Sequence, residues 1–316
     1  MMNYQEFITK VEKEILSYFP DSEKLTVDVK AVHKNNGLTL QGITIKSCDT
    51  NLAPTIYLEQ FYEELSHGGE FSEIMREIVD TYENSKRGIV PGFSLENLDN
   101  EKIFGELVNY QRNEQLLRDL RFKTVFDGRY AVIFRYQVKV GEIDGSVLIT
   151  DDIAEAKGLS VDDLYKYATT NSGEQNTPKL PTMGSVLAAM LGDSSIDADV
   201  PNLYVLSNET QHYGSFMIMR PETQKILMDS FDSDLIVIPS SIHELLLMKY
   251  NSNIDLKAVN MMIQEVNQTV VESEDILGDE YFILRKTDSG FIFDDGCTSD
   301  DNSTLGSSLL PDSAAC

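Results

Sequence analysis

Cysteine, histidine and positive charge are all scarce in this 316-residue chain. Cys48, Cys297 and Cys316 form an odd, widely separated set, which excludes a disulfide framework and offers no ligand spacing for zinc. Glycine and proline, at 19 and 9 residues, are too few for a collagen-like or low-complexity chain. No run of 18 apolar residues occurs. The densest, Leu235–Pro239 and Leu245–Met248, fall far short of the ~20 residues a membrane-spanning helix needs. Met1–Phe19 mixes acids with apolar residues and matches neither a signal nor a transit peptide, so a cytoplasmic protein is expected. The four histidines are His33, His67, His212 and His243. Histidine is the commonest general base and metal ligand near neutral pH, so this scarcity argues against an enzyme. Absent too are the glycine-rich dinucleotide and phosphate loops, His-Glu-x-x-His, paired Cys-x-x-Cys and the Gly-x-Ser-x-Gly elbow, so no cofactor or metal is implied.

What is abundant is negative charge. Asp and Glu number 52 against 26 Lys and Arg, a net of −26, and residues 151–316 carry 28 of the acids and only 9 of the bases. The stretch Glu272–Asp301 holds ten acids against Arg285 and Lys286. Such a surface repels phosphates, which excludes direct binding to nucleic acid or an anionic membrane. The expected partner is another protein, a basic one or one whose surface ordinarily binds DNA.

Hydrophobic periodicity predicts an α+β protein of mostly antiparallel strands with intermingled helices. Phe7, Ile8, Val11, Ile15 and Leu16 predict a helix over Tyr4–Tyr18. Leu25–His33 and Leu38–Ser47 alternate with period two around Asn35-Asn36-Gly37, a hairpin. The segment from Pro54 reads as a short strand or the opening of a helix, and Phe71–Glu83 as a helix. Residues 1–88 thus form a small α-β-β-α unit, with a linker over Gly88–Asn100. A larger α+β domain is expected over residues 101–290. Its predicted elements are a helix over Ile103–Leu120, a hairpin over Phe122–Val140 turning at Asp127-Gly128, and a strand over Ser146–Thr150. A helix then opens at a Ser160/Asp163 capping box and is followed by the polar loop Asn171–Pro181. Strands are expected over Leu203–Leu206 and Ser215–Met219, a helix over Pro221–Met228, a strand over Leu235–Pro239, a helix over Asp255–Val270 and a last strand over Tyr281–Leu284. Residues 291–316 read as a disordered tail.

The best chemical candidate is Pro239-Ser240-Ser241-Ile242-His243-Glu244. A hydrolase would use Ser241 as nucleophile, His243 as base and Glu244 as its orienting acid, with Tyr213 as a further candidate. Residues this close in sequence rarely achieve such a relay, because neighbours on a strand point to opposite faces. Ser241 and Glu244 also fit a capping box, or Pro-Ser-Ser a turn joining strands Leu235–Ile238 and His243–Met248, and the turn is preferred. Asp229, Asp232 and Asp234, and Asp294, Asp295, Asp300 and Asp301, do not complete a calcium loop and read as solvated. Met217/Met219 and Met261/Met262 read as core filling. The sequons at Asn208, Asn267 and Asn302 carry no weight without secretion. Cys297 and Cys316 flank several Ser and Thr residues, so a thioether-crosslinked peptide behind a very long leader is a further reading.

Several stretches are familiar together: Met2-Asn-Tyr-Gln-Glu-Phe, Asn35-Asn-Gly-Leu-Thr-Leu-Gln-Gly, Ala53-Pro-Thr-Ile-Tyr-Leu-Glu, Ile238-Pro-Ser-Ser-Ile-His-Glu, Met262-Ile-Gln-Glu-Val-Asn-Gln-Thr and Glu274-Asp-Ile-Leu-Gly-Asp. Over roughly residues 1–286 the chain resembles an uncharacterised family of anaerobic gut bacteria, often encoded on integrative or conjugative elements. The resemblance assigns no catalytic residue and implies a cytoplasmic accessory protein carried as mobile-element cargo. The expected function is therefore non-catalytic protein–protein interaction. Its sharper form is defence evasion, in which the acidic face imitates DNA.

Overall fold

The computed structural model describes residues 2–47, 53–86, 99–140, 143–193 and 202–294. The backbone divides into two compact units, residues 1–99 with 136–147, and residues 100–135 with 148–316. Most of the expected linker, and residues 295–316 of the expected tail with their two cysteines, lie outside the described residues.

In the first unit Asn3 caps helix α1 (Tyr4–Glu14). Its side-chain oxygen accepts from the Glu6 amide at 2.9 Å, and the Glu6 carboxylate accepts from the Asn3 amide at 3.0 Å, satisfying two amide donors that a helix start leaves open. Strands β1 (Leu25–His33) and β2 (Thr39–Ser47) pair antiparallel from Leu25↔Ser47 to His33↔Thr39. Asn36 and Gly37 take left-handed φ of 59° and 72° at the turn, as their residue types permit. The segment after Pro54 is both things the sequence allowed, strand β3 (Thr55–Tyr57) and then helix α2 (Glu59–Ser66). Helix α3 (Phe71–Lys86) follows. Ile43, Ile45 and Ile56 of the sheet pack against Phe7, Val11, Phe61, Ile74 and Ile78 of the helices in one core.

The second unit opens on a correction. Residues 103–120 are not a helix: strand β4 covers Ile103–Asn109 and two 3₁₀ turns follow. Six consecutive positions of β4 are buried, and a strand covered on both faces shows no period-two alternation. The hairpin β5 (Lys123–Val125) and β6 (Tyr130–Val140) turns through Phe126, Asp127 and Gly128, all at positive φ. From Tyr136 onward β6 belongs to the first unit, as does strand β7 (Ile143–Leu148) up to Val147; β7 pairs with β6, and the sheet order is β4-β6-β5 with β7 alongside. Helix α4 (Asp151–Lys157), not anticipated, precedes the capped helix α5 (Val161–Thr170).

Next come β8 (Pro178–Lys179) inside the polar loop, helix α6 (Met183–Leu191) and strand β9 (Leu203–Asn208). The strand expected over residues 215–219 is instead a fully buried 3₁₀ segment, Gly214–Met219. Its Ser215 hydroxyl donates to the Ile242 carbonyl at 2.7 Å. Helix α7 (Pro221–Ser230), hairpin β10 (Leu235–Ser241) and β11 (Glu244–Lys249), helix α8 (Leu256–Thr269), and strands β12 (Phe282–Thr287) and β13 (Gly290–Asp294) complete the unit. Strand β13 occupies the start of the segment read as tail. Its buried Phe291 and Phe293 are the reason it orders there. The six-stranded sheet runs β13-β12-β10-β11-β9-β8, antiparallel throughout. The fold is mixed α+β. No helix among the described residues is long and apolar enough to cross a membrane.

Candidate functional site

The sequence-nominated cluster sits where β10 turns into β11. Register shifts between Ile238 and Ser241, and Pro239, which has no amide to donate, occupies that irregularity. Residues 242 and 243 form the bend, and its backbone groups are taken up by distant parts of the unit. The Ile242 amide donates to the Asp275 carbonyl at 2.8 Å, and the His243 carbonyl accepts from the Ser207 hydroxyl at 2.8 Å.

His243 is held from both sides of its ring. Nδ1 accepts from the Tyr213 amide at 3.1 Å. A backbone N–H can only donate, so Nδ1 is unprotonated and Nε2 carries the hydrogen, which points to Asp275 Oδ1 at 3.2 Å. Asp275 therefore occupies the place expected of Glu244. Glu244 instead accepts from the Ser240 hydroxyl at 3.3 Å, and the Ser241 hydroxyl accepts from the His243 backbone amide at 3.1 Å. Ser241, His243 and Glu244 are neighbours, yet the imidazole bonds neither of the other two. A serine relay needs one ring nitrogen on the hydroxyl and the other on the acid. Here an amide holds the first position, and the ring ties the 207–213 segment to the hairpin.

Tyr213 does meet His243, with ring centroids 5.7 Å apart. Its backbone is left-handed, at φ 57°, a conformation that strains a non-glycine residue and persists only where surroundings impose it. Phe104 lies 5.9 Å away and the Arg135 guanidinium 4.6 Å above the tyrosine ring. Arg135 is itself ion-paired to the buried Glu106. Beneath this loop the buried Asn208 donates to the carbonyls of Gln175 and His212 at 2.9 and 2.8 Å. The neighbouring Gly214 has no room for a side chain: a Cβ there would lie 2.2 Å from the Ser207 hydroxyl oxygen.

The acids expected to be solvated are partly tied down. Asp232 pairs with Lys249, and Asp234 and Asp294 grip Arg285 from two sides at 2.9 and 2.7 Å. Those carboxylates raise the affinity of Arg285 for its proton. Among the described residues no three His, Cys, Asp or Glu side chains gather closely enough to hold a metal ion.

Two features were not visible in the sequence. Helix α8 buries Val259 and Ile263 against Ile236 and Ile238, while Met261, Met262, Val266 and Val270 are 70%, 48%, 40% and 75% exposed. The Met261/Met262 pair is thus surface, a correction to its reading as core, whereas Met217 and Met219 are buried. Adjacent residues of a helix lie 100° apart, so the pair flanks rather than joins the buried stripe marked by Val259 and Ile263. The second feature is a polar cleft of about 510 Å³ lined by Arg112, Arg129, Tyr130, Gln264, Asp279 and Glu280 among others. Asp279 binds Arg112, and Asn267 of α8 donates to Asp279 at 2.9 Å. Its residues come from four separate stretches of chain, and no local motif marks them.

Neither a curated protein nor a solved structure matches the chain. A family model, DUF5688, described as a family of unknown function, matches residues 4–286. The chain belongs to that family.

Proposed function

We propose that this protein works by binding a basic partner protein through the outward face of α8, without a bond-making step of its own. The observation that carries this reading is the set Met261, Met262, Val266 and Val270, exposed on and just past one helix. Methionine is unbranched and polarisable, and surfaces built from it adapt to a partner's shape. The surrounding charge selects the partner's sign. Glu265 and Glu272 flank the apolar residues, and the chain carries −26 overall, which steers cationic surfaces toward it. The engaged imidazole of His243 fits a structural role and supports the non-catalytic half of the reading. The finer reading is that of bacterial mobile-element cargo whose partner is a DNA-binding host enzyme, with carboxylates standing in for phosphates.

Differential capture tests this. The parent chain and a Met261→Gln/Val266→Gln variant are immobilised in parallel and exposed to extract from a gut anaerobe. The expected result is a basic protein retained by the parent, released by salt, and lost from the variant. Retention of the same proteins by both, or self-association of the chain alone, overturns the proposal.

A further inference from the structure

We propose that the pocket between α1 and α2 in the first unit binds a primary alkylammonium group, whether of a free amine or of a lysine side chain. Its volume, about 380 Å³, lies in the range of small-molecule sites. It is lined by Tyr4, Glu59, Tyr62, Glu63 and Ser66. Two of these residues are acids and none is a base, so the pocket repels anions.

Glu59 is the observation that points to a ligand. Its Oε1 accepts from the Tyr4 hydroxyl at 2.6 Å and from the Gln41 amide at 2.7 Å, so one oxygen alone joins α1, β2 and α2. Its Oε2 is buried and takes no hydrogen bond among the described residues. A buried carboxylate oxygen without a donor is uncommon and costly in folded proteins. The lining residues have no side-chain donor left to give. The Tyr4 hydroxyl is spent on Oε1, that of Tyr62 on the Met2 carbonyl at 3.3 Å, and that of Ser66 on the Glu63 carbonyl at 2.7 Å. Burial first, then the bond to Glu59, hold the Tyr4 proton well above the usual phenol range, so Tyr4 stays a neutral donor. The missing donor must therefore arrive with a ligand.

The rings choose the kind of cation. Those of Tyr4 and Tyr62 lie 4.9 Å apart at 49°, and the pocket wall is chiefly carbon. A hard metal ion needs about six or more oxygen ligands, which such a wall does not supply. An alkylammonium fits both halves, with an N–H toward the Glu59 carboxylate and its chain along the aromatic rings, which also attract the charge. Tyr62 is fixed in advance by Phe7, 5.6 Å away on its ring, and by the Met2 carbonyl. A site arranged before the ligand arrives loses less entropy on binding.

Titration calorimetry of the full chain with n-butylamine and with Nα-acetyl-lysine methylamide tests the assignment, in about 0.15 M sodium chloride to screen diffuse attraction. At least one is expected to bind saturably. Butylamine binding marks a site for free amines, and binding of the lysine derivative alone marks a site for a side chain. Tetramethylammonium, which has the charge but no N–H, should bind about tenfold or more weaker. Glu59→Gln should weaken the amine by a similar factor, the usual loss for a hydrogen bond to a charged group, while its amide oxygen can still accept from Tyr4 and Gln41. Tyr62→Leu should weaken binding severalfold through loss of the ring, and Tyr62→Phe should bind as the parent does; this pair decides the matter if Glu59→Gln does not fold. The proposal fails if neither amine binds below about 10 mM, or if tetramethylammonium binds as tightly as butylamine. It also fails if folded Glu59→Gln or Tyr62→Leu binds as tightly as the parent.

Discussion

Ser160 and Asp163 close a reciprocal pair at the start of α5. The Ser160 hydroxyl oxygen accepts from the Asp163 amide at 3.1 Å, and the Asp163 carboxylate accepts from the Ser160 amide at 3.0 Å and from its hydroxyl. The serine hydroxyl, then the serine amide, hold the Asp163 carboxyl below its ordinary value of 3.8. A carboxyl whose folded value is lowered stabilises the protein fully above the unfolded value and loses that contribution as pH falls through the folded one. Loss of the N-cap hydroxyl in Ser160→Ala should lower stability by about 1 kcal/mol near neutral pH. The difference from the parent should shrink as pH falls below 3.8 and through the lowered folded value, beneath which the aspartate is protonated in both states. Urea titrations at pH 7 and pH 3 measure both quantities. A residue-scale prediction of the opposite kind concerns His243. If its ring is a tie between loop and hairpin, His243→Ala should cost about 1–2 kcal/mol through the unpaired Tyr213 amide and abolish no ester or amide turnover. Hydrolysis by the parent that vanishes in the variant would refute the non-catalytic reading. The two cases also show what was legible at this scale. The Ser160 box was readable because both partners lie within one helical turn. The true carboxylate partner of His243 was not, because Asp275 lies 32 positions away and only the folded hairpin brings it there.

At the scale of elements, period-two alternation and turn chemistry located β1, β2, β5 and β6, because each of those hairpins is specified by residues next to one another. Failures fell where burial is two-sided. Strand β4 and the segment Gly214–Met219 were assigned the wrong type, and both are apolar stretches covered all round, so neither shows an outward face from which to count a period. Their contact explains a further constraint. A Cβ added at Gly105 would lie 2.5 Å from the Phe216 ring, a distance that forces one element off the other. Gly105→Ala should thus destabilise by roughly 1–3 kcal/mol, as overpacked cores do, although alanine is ordinarily better tolerated than glycine in a strand. A urea midpoint equal to the parent's would mean that β4 and the 3₁₀ segment do not meet as described. Helix α8 gives the contrasting case. Its outward residues touch no core, so Met262→Lys should change stability by no more than about 0.5 kcal/mol while removing whatever binds that face.

For the whole molecule the governing quantity is the net charge of −26. Like charges crowded onto a folded surface repel, which destabilises the compact state relative to the expanded chain. Individual ion pairs do little to offset this. Pairs such as Lys249 with Asp232 and Lys123 with Asp162 leave a largely exposed carboxylate, and exposed pairs are worth about 0–1 kcal/mol each. The repulsion is long-ranged, whereas the pairs are local, so salt acts on them unequally. Raising ionic strength from about 0.01 M to about 0.15 M shortens the screening length from roughly 30 Å to roughly 8 Å. That removes most of the repulsion between distant carboxylates and leaves contacts at 3 Å much less affected. The melting temperature should accordingly rise with added sodium chloride over this interval, and potassium chloride should act alike, since screening does not distinguish the two cations. The same screening acts in the opposite sense on association with a basic partner, whose on-rate should fall as salt is added. The two trends are linked because one field produces both. A melting temperature that falls with salt would place the ion pairs, Arg285 with Asp234 and Asp294 foremost, above the net charge as the controlling electrostatic effect, and would remove the charge argument for a cationic partner.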